Sequence, residues 1–337
     1  MKKDYLFGVY IGRFQPFHLG HLTTLRWGLQ KAEQILLILG SDRTAPSVRN
    51  PWSAGERRAM IETSLTAEEL TRTRFLTLPD YPYDDARWGE EARRLVTQTV
   101  PSGATIALLG HEKDSTSFYL RTFPEWDFLE TGYSPLGNGT EIRQAYFEGA
   151  SKCYEPQIPP GVAQFLREFR AYPRYALLRE EYRFLQGYRQ AWSAAPYPPI
   201  LVTVDAVVIQ GGRLLTIRRR RPPGQGLLAL PGGFLEPEET LAEGLLRELG
   251  EETALAVSSE ALRQCIVASA VFDAPGRSLR GRTITHAYCL RLPGEIPAPV
   301  AGQDDAETAQ WLSLERLTHY EAEFFEDHYA IVQHFLP

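Results

Sequence analysis

Short apolar runs alternate with amphipathic stretches along the first half of the chain. The stretches Leu19–Ala32 and Gly55–Ser64 have helical spacing. Continuous apolar runs are typical of strands covered on both faces, and their alternation with helices predicts an open, doubly wound parallel sheet of the Rossmann-like α/β class. The predicted strands are Tyr5–Ile11, Gln34–Gly40, Arg74–Leu78, Ala104–Gly110 and Trp126–Glu130.

The last third of the chain has a mixed pattern. A hairpin is predicted where Gln210-Gly211-Gly212 joins the strand-like runs Leu201–Ile209 and Arg213–Arg218. This order favours an α+β domain rather than a second βα alternation. The other predicted elements are helices over Thr240–Thr253 and Phe324–Phe335, and strands over Cys265–Phe272 and Thr283–Leu292.

A helical, aromatic-rich stretch, Val162 to Trp192, lies between these two regions and leads into a proline-rich segment. Three prolines within residues 196–199 exclude a helix there and favour an extended connector. We therefore predict a first domain over residues 1–180, a linker over 181–199 and a second domain over 200–337.

Composition and charge narrow the class of protein. The 337 residues are 43% hydrophobic, which excludes a disordered chain, and three scattered cysteines exclude a disulfide scaffold. A net charge of −6 disfavours a general nucleic-acid binder. No apolar run reaches the roughly 18 residues of a membrane span, and the N-terminus lacks the features of a signal peptide. We expect a cytoplasmic protein that binds neither nucleic acid nor membrane, with self-association left open.

The segment GRFQPFHLGH follows the first predicted strand and leads into the first helix. Open α/β sheets bind ligands in this crevice, and the unpaired N–H groups of a helix N-terminus favour an anion. His18 and His21 are three residues apart, so both imidazoles can approach one phosphate group. The sequence contains neither GxxxxGK[ST] nor GxGxxG, which argues against a P-loop ATPase and a dinucleotide dehydrogenase.

These residues resemble the HxGH nucleotidyltransferase family, and the whole segment is similar to its nicotinamide mononucleotide (NMN) adenylyltransferase branch. Asn138–Arg143 matches a second signature of the family, and Asn50–Arg57 resembles a segment of that branch. The resemblance implies that the phosphate of NMN attacks the α-phosphate of ATP, with magnesium bridging the phosphates. Such a displacement needs positioning and charge neutralisation rather than a protein nucleophile.

The resemblance also implies roles for individual residues. Arg13, His18, His21 and Arg143 would hold the triphosphate and the transition state. Asp80 and Trp88 would bind the nicotinamide, the alternatives being a loop carboxylate and a packed aromatic ring. Further nucleotide-binding positions are expected at Gly12, Phe14, Gly110, Asn138 and Thr140, with Asp42, Arg43 and the segment from His111 to Asp114 as open candidates.

A second chemical motif lies in the segment GGFLEPEETLAEGLLRELGEETAL. Thr240 and Glu243 form a capping-box pattern at the start of the predicted helix. Glu248, Glu251 and Glu252 have the i, i+3, i+4 spacing that clusters carboxylates on one side of a helix. Three such carboxylates suit Mg²⁺ or Mn²⁺ unless they form a solvated acidic face.

The wider pattern resembles the Nudix box, with matches at Gly233, Glu239, Arg247 and the three glutamates, and with Ala254 in place of a family glycine. This implies metal-dependent hydrolysis of a nucleoside diphosphate linked to another group. Glu248, Glu251 and Glu252 would bind the metal, while Glu239 and Arg247 would brace the loop and helix. The general base is left open between Glu248, Asp305 and Glu307.

The segment from Phe272 to Arg282 resembles ADP-ribose-directed Nudix proteins, so Arg277 and Arg282 would bind the diphosphate unless the loop is merely solvated. The basic run Arg218–Arg221 could likewise contact the substrate or form a solvated loop. The whole chain thus resembles NMN adenylyltransferases fused to Nudix ADP-ribose pyrophosphatases, which implies NAD⁺ synthesis and cleavage of ADP-ribose to AMP and ribose 5-phosphate. Nicotinic acid mononucleotide as acceptor, another diphosphate substrate and a non-catalytic ADP-ribose sensor stay open as alternatives.

Overall fold

The computed structural model describes residues 3–110, 121–132 and 137–336. The chain divides into two compact units, Met1–Arg179 and Glu180–Pro337. The domain limits 1–180, 181–199 and 200–337 stay a prediction, and residues 181–191 of the expected linker belong to a helix that starts at Pro173. Among the described residues, no helix has the length and apolar character that crossing a bilayer requires.

The first unit is built on a parallel sheet. Its elements are β1 (Tyr5–Gly12), α1 (Leu19–Lys31), β2 (Ala32–Asp42), α2 (Ala54–Glu62), α3 (Ala67–Thr71), β3 (Thr73–Pro79), α4 (Asp85–Thr99), β4 (Ile106–Gly110), β5 (Asp127–Glu130), α5 (Gly139–Glu148), α6 (Ser151–Tyr154) and α7 (Pro160–Phe169). The next helix, α8 (Pro173–Ala191), includes the boundary between the two units. The five strands are ordered β3-β2-β1-β4-β5, and every neighbouring pair is parallel. The doubly wound class expected from the sequence is therefore confirmed, and its switch point lies between β1 and β4.

Burial on both faces explains the continuous apolar runs. On one face, Val9 and Leu36 pack with Val96 of α4. On the other face α1 lies very close to β4, because a Cβ at Gly28 would come within 2.3 Å of Leu109 Cδ1. The small residue thus fixes the height of α1 above the sheet, and with it the position of the residues at the start of the helix.

The second unit is a mixed sheet with helices. Its elements are β6 (Ile200–Gln210), β7 (Arg213–Arg219), β8 (Leu228–Ala229), β9 (Gly232–Phe234), α9 (Leu241–Thr253), α10 (Ser259–Gln264), β10 (Ile266–Phe272), β11 (Arg282–Arg291), β12 (Ala306–Ser313) and α11 (His328–Phe335). The main strand order is β10-β11-β6-β7-β12, with β8 paired to β7 and β9 to β6. The β6–β11 pair is parallel and the other pairs are antiparallel, as an α+β domain requires.

Two local features decide how this unit compares with the prediction. The hairpin turns at Gly211 and Gly212, both with positive φ, where the sequence predicted it. The C-terminal helix begins at His328 rather than at Phe324. Phe324 instead bridges to Leu228, and Glu326 adopts a φ of 46°, which a continuing helix excludes.

The apolar face of α9 determines where its acidic face lies. Leu245 and Leu249 are fully buried against alternate residues of β6, among them Ala206 and Val208. Burial of this stripe fixes the rotation of the helix about its axis. The carboxylates on the remaining faces are consequently held in defined positions near β9.

Candidate active sites

The two histidines of the first unit cap α1 reciprocally. The His21 N–H donates to Nδ1 of His18 at 3.4 Å, and the His18 N–H donates to Nδ1 of His21 at 3.3 Å. The rings are stacked with centroids 3.6 Å apart. Because both Nδ1 atoms accept hydrogen bonds, both ring protons are assigned to Nε2, which makes the pair a set of N–H donors. Burial, with a smaller contribution from His18, lowers the pKa of His21 well below its usual value, so this ring is neutral.

Gly12 and Phe14 support the histidine pair from behind. Phe14 is 1% exposed, has a φ of 51°, and places its ring edge-on to His21 with centroids 4.9 Å apart. A Cβ at Gly12 would lie 2.8 Å from the Phe14 ring, so this position requires glycine. Direct nucleotide contact by either residue stays a prediction.

Arg143 lies at the same place although it comes from a distant part of the chain. Its Nη1 donates to the Gln15 carbonyl at 2.6 Å and its Nη2 to Thr140 Oγ1 at 3.2 Å. Burial, followed by the charges of Arg13 and Arg49, lowers its pKa to about 9. A buried guanidinium with the positive charges of two other arginines nearby forms a site suited to an anion.

The second signature segment packs directly on the first. Asn138 is the N-cap of α5, because its side chain accepts from the Thr140 N–H at 2.9 Å. A Cβ at Gly137 would come within 3.1 Å of the His18 ring. The two segments predicted to share a nucleotide are therefore brought together by the fold.

Two supporting residues received no role from the sequence. The Arg57 side chain is fully buried and donates from Nη1 to the carbonyls of Arg13 and Gly40, each at 2.6 Å. Its pKa is lowered to about 10, mainly by burial. The Gln15 amide donates to the Trp52 carbonyl and accepts from the Trp52 N–H. The loops after β1 and β2 are tied together by these bonds, and only the resemblance of Asn50–Arg57 to a family segment could have drawn attention to them.

The remaining predicted residues of this unit are more scattered. Asp80 is exposed after β3, whereas the Trp88 ring packs on Phe123 with centroids 6.1 Å apart, which favours the packed-aromatic alternative. The carbonyl of Gly110 accepts from the Thr131 N–H at 2.7 Å. Asp42 ends β2, Arg43 follows it with a φ of 58°, and the segment from His111 to Asp114 lies outside the described residues.

In the second unit, two glycines hold two carboxylates. The N–H of Gly232 donates to Glu252 Oε2 at 2.9 Å, and a Cβ at Gly233 would meet Glu248 Oε1 at 2.4 Å. Both glutamates are largely buried. Desolvation is the main cause that raises the pKa of Glu248 and raises that of Glu252 to about 8. Burial therefore favours the protonated form of both carboxyl groups over the anion.

Arg247 braces the loop and the helix, as the pattern implied. Its guanidinium donates to Glu239 at 2.6 and 3.0 Å and to the Phe234 carbonyl at 3.1 Å. It also pairs with Glu248 at 2.9 Å and with Glu251 at 3.0 Å. One arginine thus ties three carboxylates to β9, and it orients the acidic face of α9.

Comparison with known proteins fits both sites. Residues 199–335 match the NUDIX domain family, and residues 9–79 match the cytidylyltransferase-like family. A crystal structure of a bifunctional NMN adenylyltransferase/ADP ribose pyrophosphatase from Francisella tularensis has a TM-score of 0.92 to this chain, with 36% identity and 98% of each chain covered. This chain belongs to that bifunctional family.

Two further relatives agree with this membership. A structure of a Francisella tularensis bifunctional enzyme complexed with AMP and a Mn ion has the same TM-score at 37% identity, again over 98% of each chain. A nicotinamide/nicotinic acid mononucleotide adenylyltransferase from Acinetobacter baylyi is 39% identical over 183 residues, which are 54% of this chain and 95% of that protein. The adenylyltransferase and Nudix resemblances seen in the sequence are confirmed.

The donors in the Nudix unit fit a divalent cation by their chemistry. Among residues 3–110, 121–132 and 137–336, no three His, Cys, Asp or Glu side chains are already gathered as a metal site. Glu248 and Glu251 instead contact Arg247, and Glu252 contacts the Gly232 N–H. Carboxylate oxygens are the ligands that Mg²⁺ and Mn²⁺ prefer, and a cation here would stabilise the two buried glutamates as anions.

The late loop reaches the end of α9 through its backbone. The N–H of Gln303 donates to the Glu252 carbonyl at 3.1 Å. Asp305 is exposed and pairs with Arg221 at 3.5 Å, and Glu307 is exposed on β12. The choice of general base among Glu248, Asp305 and Glu307 therefore stays open.

Arg277 and Arg282, expected to bind the diphosphate, are both engaged elsewhere. The Arg277 guanidinium is bidentate to Asp327, at 2.8 and 2.9 Å, and its side chain is only 3% exposed. Arg282 donates to the Asp273 carbonyl and lies 3.8 Å from its carboxylate. This geometry favours a structural role for Arg277, which no sequence spacing indicated because its partner is 50 residues away.

Proposed function

We propose that this chain catalyses two reactions of NAD metabolism. The first unit transfers the adenylyl group of ATP to NMN, which gives NAD⁺ and pyrophosphate. The second unit hydrolyses ADP-ribose to AMP and ribose 5-phosphate. The observation that carries the proposal is full-length similarity to the Francisella bifunctional enzyme. The contacts among the motif residues within each unit support it.

For adenylyl transfer, the first unit supplies positions and positive charge. The Nε2–H groups of His18 and His21 donate to phosphate oxygens of ATP, and the guanidinium groups of Arg13 and Arg143 offset the charge that grows on the leaving pyrophosphate. The phosphate of NMN attacks the α-phosphorus in line, and the bond to the β-phosphate oxygen breaks. Neutral imidazoles suit this task because they donate without first losing or gaining a proton.

For ADP-ribose hydrolysis, the carboxylates of α9 hold the divalent metal, Mg²⁺ or Mn²⁺. Bound there, it would polarise the diphosphate and lower the pKa of water. Glu248, Glu251 and Glu252 are the ligands in this proposal, with Gly232 and Arg247 orienting them. Water adds to one phosphorus, the bridging P–O bond breaks, and AMP and ribose 5-phosphate leave.

Three finer points belong to the same proposal. NMN is the proposed acceptor, with nicotinic acid mononucleotide as the competitor, since the Acinetobacter relative is named for both. An intact set of α9 carboxylates favours catalysis over the sensor alternative. A cytoplasmic location and the absence of nucleic-acid partners stay predictions from the sequence.

Both activities are testable on one chain. The purified protein is given NMN or nicotinic acid mononucleotide with ATP and Mg²⁺, and separately ADP-ribose with Mg²⁺, Mn²⁺ or EDTA, and the products are resolved by chromatography. We expect NAD⁺ from the first mixture and metal-dependent AMP from the second. No dinucleotide product would refute the transferase proposal, and intact ADP-ribose that nevertheless binds would favour a sensor.

A further inference from the structure

Two arginines of the Nudix unit, Arg219 and Arg280, differ from Arg277 and Arg282 in that they form no ion pair with any described residue. Arg277 is bound by Asp327 and Arg282 by Asp273. Arg219 and Arg280 belong to no ion pair: within the described part of the chain, no carboxylate oxygen comes within 4.0 Å of either guanidinium. Sheltered guanidinium groups without a carboxylate partner are uncommon, since burial of unpaired charge is costly.

Each of these two guanidinium groups is stacked on a phenylalanine ring. Cζ of Arg280 lies 4.7 Å from the centre of the Phe234 ring, and Cζ of Arg219 lies 4.3 Å from that of Phe325. Nε of Arg219 donates to the Pro223 carbonyl at 2.7 Å, whereas the buried Nε of Arg280 has no acceptor among the described residues. A stacked guanidinium directs its remaining N–H groups sideways, in the geometry that fits phosphate oxygens.

Both stacking partners flank one short segment that leads to the carboxylates. Phe234 ends β9, and its neighbours Gly232 and Gly233 contact Glu252 and Glu248. Phe325 donates its N–H to the carbonyl of Leu228 in β8 at 2.7 Å. The segment from Leu228 to Phe234 therefore has one stacked arginine near each end, and its glycines contact the α9 carboxylates.

The charges of Arg219 and Arg280 act on each other and on His328. The pKa of Arg219 is lowered by burial and then by the charge of Arg280, although Glu326, Glu252 and Asp305 oppose this. Burial is the main cause that lowers the pKa of His328, and the charges of Arg277, Arg219 and Arg280 lower it further. Two mutually repelling cations beside a metal-binding helix create the potential that a dianionic diphosphate would relieve.

We propose that Arg219 and Arg280 form the diphosphate subsite of the Nudix unit, each donating N–H groups to phosphate oxygens of ADP-ribose. This inference rests on the proposed ADP-ribose hydrolysis and assigns its substrate contacts. Arg277, by contrast, stabilises the fold through Asp327. The two guanidinium groups match the two negative charges of the diphosphate, and the α9 carboxylates would supply the metal ligands.

The test compares arginine-to-glutamine variants of the full chain. Arg219→Gln and Arg280→Gln are compared with the control Arg291→Gln. Arg291 is exposed and is the last residue of β11, at the end far from the segment that contains Arg280. The dissociation constant of ADP-ribose is measured by calorimetry in EDTA, and KM and kcat are measured with Mg²⁺. We expect each of the first two variants to bind ADP-ribose about tenfold or more weakly. Arg291→Gln should match the wild type.

Three further results bear on the inference. Binding within about twofold of wild type in both variants would overturn it, as would a loss in Arg282→Gln without one in Arg280→Gln. If a glutamine variant fails to fold, the lysine variant decides, because it keeps the charge but lacks the planar fork: weaker binding supports the subsite and unchanged binding refutes it. A wild type that hydrolyses ADP-ribose while the variants are unchanged refutes only the subsite. Arginine-dependent binding without hydrolysis refutes only the proposed reaction.

Discussion

The two sites act on the same chemical group, a chain of phosphates, with side chains of opposite charge. The first unit presents N–H donors and cations, with His18, His21 and Arg143 at the ends of two helices. The second presents the buried carboxylates Glu248 and Glu252. The first unit brings much of its own positive charge to the phosphates, whereas the helix of the second repels them until cations intervene.

The supports of the two sites differ in the same way. Arg57 and Arg143 are held by backbone carbonyls of the loop after β1 and of the C-terminal end of β2, so the first site depends on the conformation of these two backbone segments. The second site depends on side-chain pairs and on the N–H of Gly232. Charge-reducing substitutions should therefore damage the two activities separately.

The largest effect is expected from Glu252→Gln. Loss of a metal ligand should lower ADP-ribose hydrolysis by about three orders of magnitude, because the metal contributes several kcal/mol to transition-state stabilisation. Release of AMP measures this, and NAD⁺ synthesis by the same preparation should be unchanged. Glu260→Gln, at an exposed position of α10, is the matched control. Equal loss of both activities would show that the two sites are not separable.

The second-largest effect is expected at His18, where one substitution can distinguish helix capping from a role in catalysis. Asparagine is a good N-cap but lacks an Nε2–H at the imidazole position, so His18→Asn should keep the helix while lowering adenylyl transfer about a hundredfold or more. His21→Ala should show a similar loss of rate. Thermal unfolding and NAD⁺ formation are measured together. A His18→Asn enzyme with wild-type rate would mean that His18 only caps α1.

The third effect concerns the stability of the second unit. Asp327→Asn removes the bidentate carboxylate from the buried Arg277 guanidinium and leaves Asp205 at 4.0 Å, which should cost about 3–5 kcal/mol in the free energy of unfolding. Glu323→Gln breaks the more exposed pair with Arg218 and should cost less than about 1 kcal/mol. Denaturant unfolding compares the two variants. Similar small costs would indicate that the Arg277 pair is not a structural lock.

The fourth effect is a pH dependence at His328, which accepts from the Leu230 N–H through Nδ1. Burial lowers its pKa to about 3, against the pull of Asp327, while an unfolded histidine titrates near 6.5. The unfolded chain therefore binds a proton that the folded chain does not, and stability falls as pH drops below about 6.5. Between about pH 7 and 5.5 the wild type should lose about 1 kcal/mol more than His328→Gln, whose amide oxygen can accept the same N–H. Parallel pH profiles would contradict the assignment.

The smallest effect is expected at Ala254, the C-cap of α9. Its φ of 46° lies in the left-handed region, which costs an alanine about 1 kcal/mol, while glycine loses up to about 1 kcal/mol through unfolded-state entropy. Ala254→Gly should therefore be neutral or stabilising by a few tenths of a kcal/mol. Ala261→Gly, in the right-handed helix α10, should destabilise by about 0.5–1 kcal/mol. Equal destabilisation in both would show that the left-handed position carries no strain.

Local patterns predicted the elements that local forces determine. The apolar runs gave β1 and β2 within two residues at each end, and Thr240 with Glu243 gave the start of α9 through the capping box seen in the structure. Both sets of motif residues were found for the same reason, since each motif surrounds a single helix start or helix face.

The missed features depend on residues far apart in the sequence. Arg57 takes its carbonyls from the loop after β1 and from the C-terminal end of β2, and Arg277 takes its carboxylate from the N-cap residue of α11. The number of arginines in the segment from Phe272 to Arg282 indicated a diphosphate site. Their spacing, however, could not distinguish arginines that pair with a carboxylate from those that do not. Only the packing of Phe234 and Phe325 distinguishes them.

The reciprocal cap at the start of α1 also has a calorimetric consequence. With each Nδ1 accepting a backbone N–H, neither His18 nor His21 can take up a second proton without breaking a bond that starts the helix. The two imidazole rings should then neither gain nor lose a proton when a nucleotide binds. At a pH high enough for ATP itself to be fully ionised, the heat of ATP binding should accordingly be the same in buffers whose ionisation enthalpies differ, so the cap governs the protonation of the site as well as the beginning of a helix.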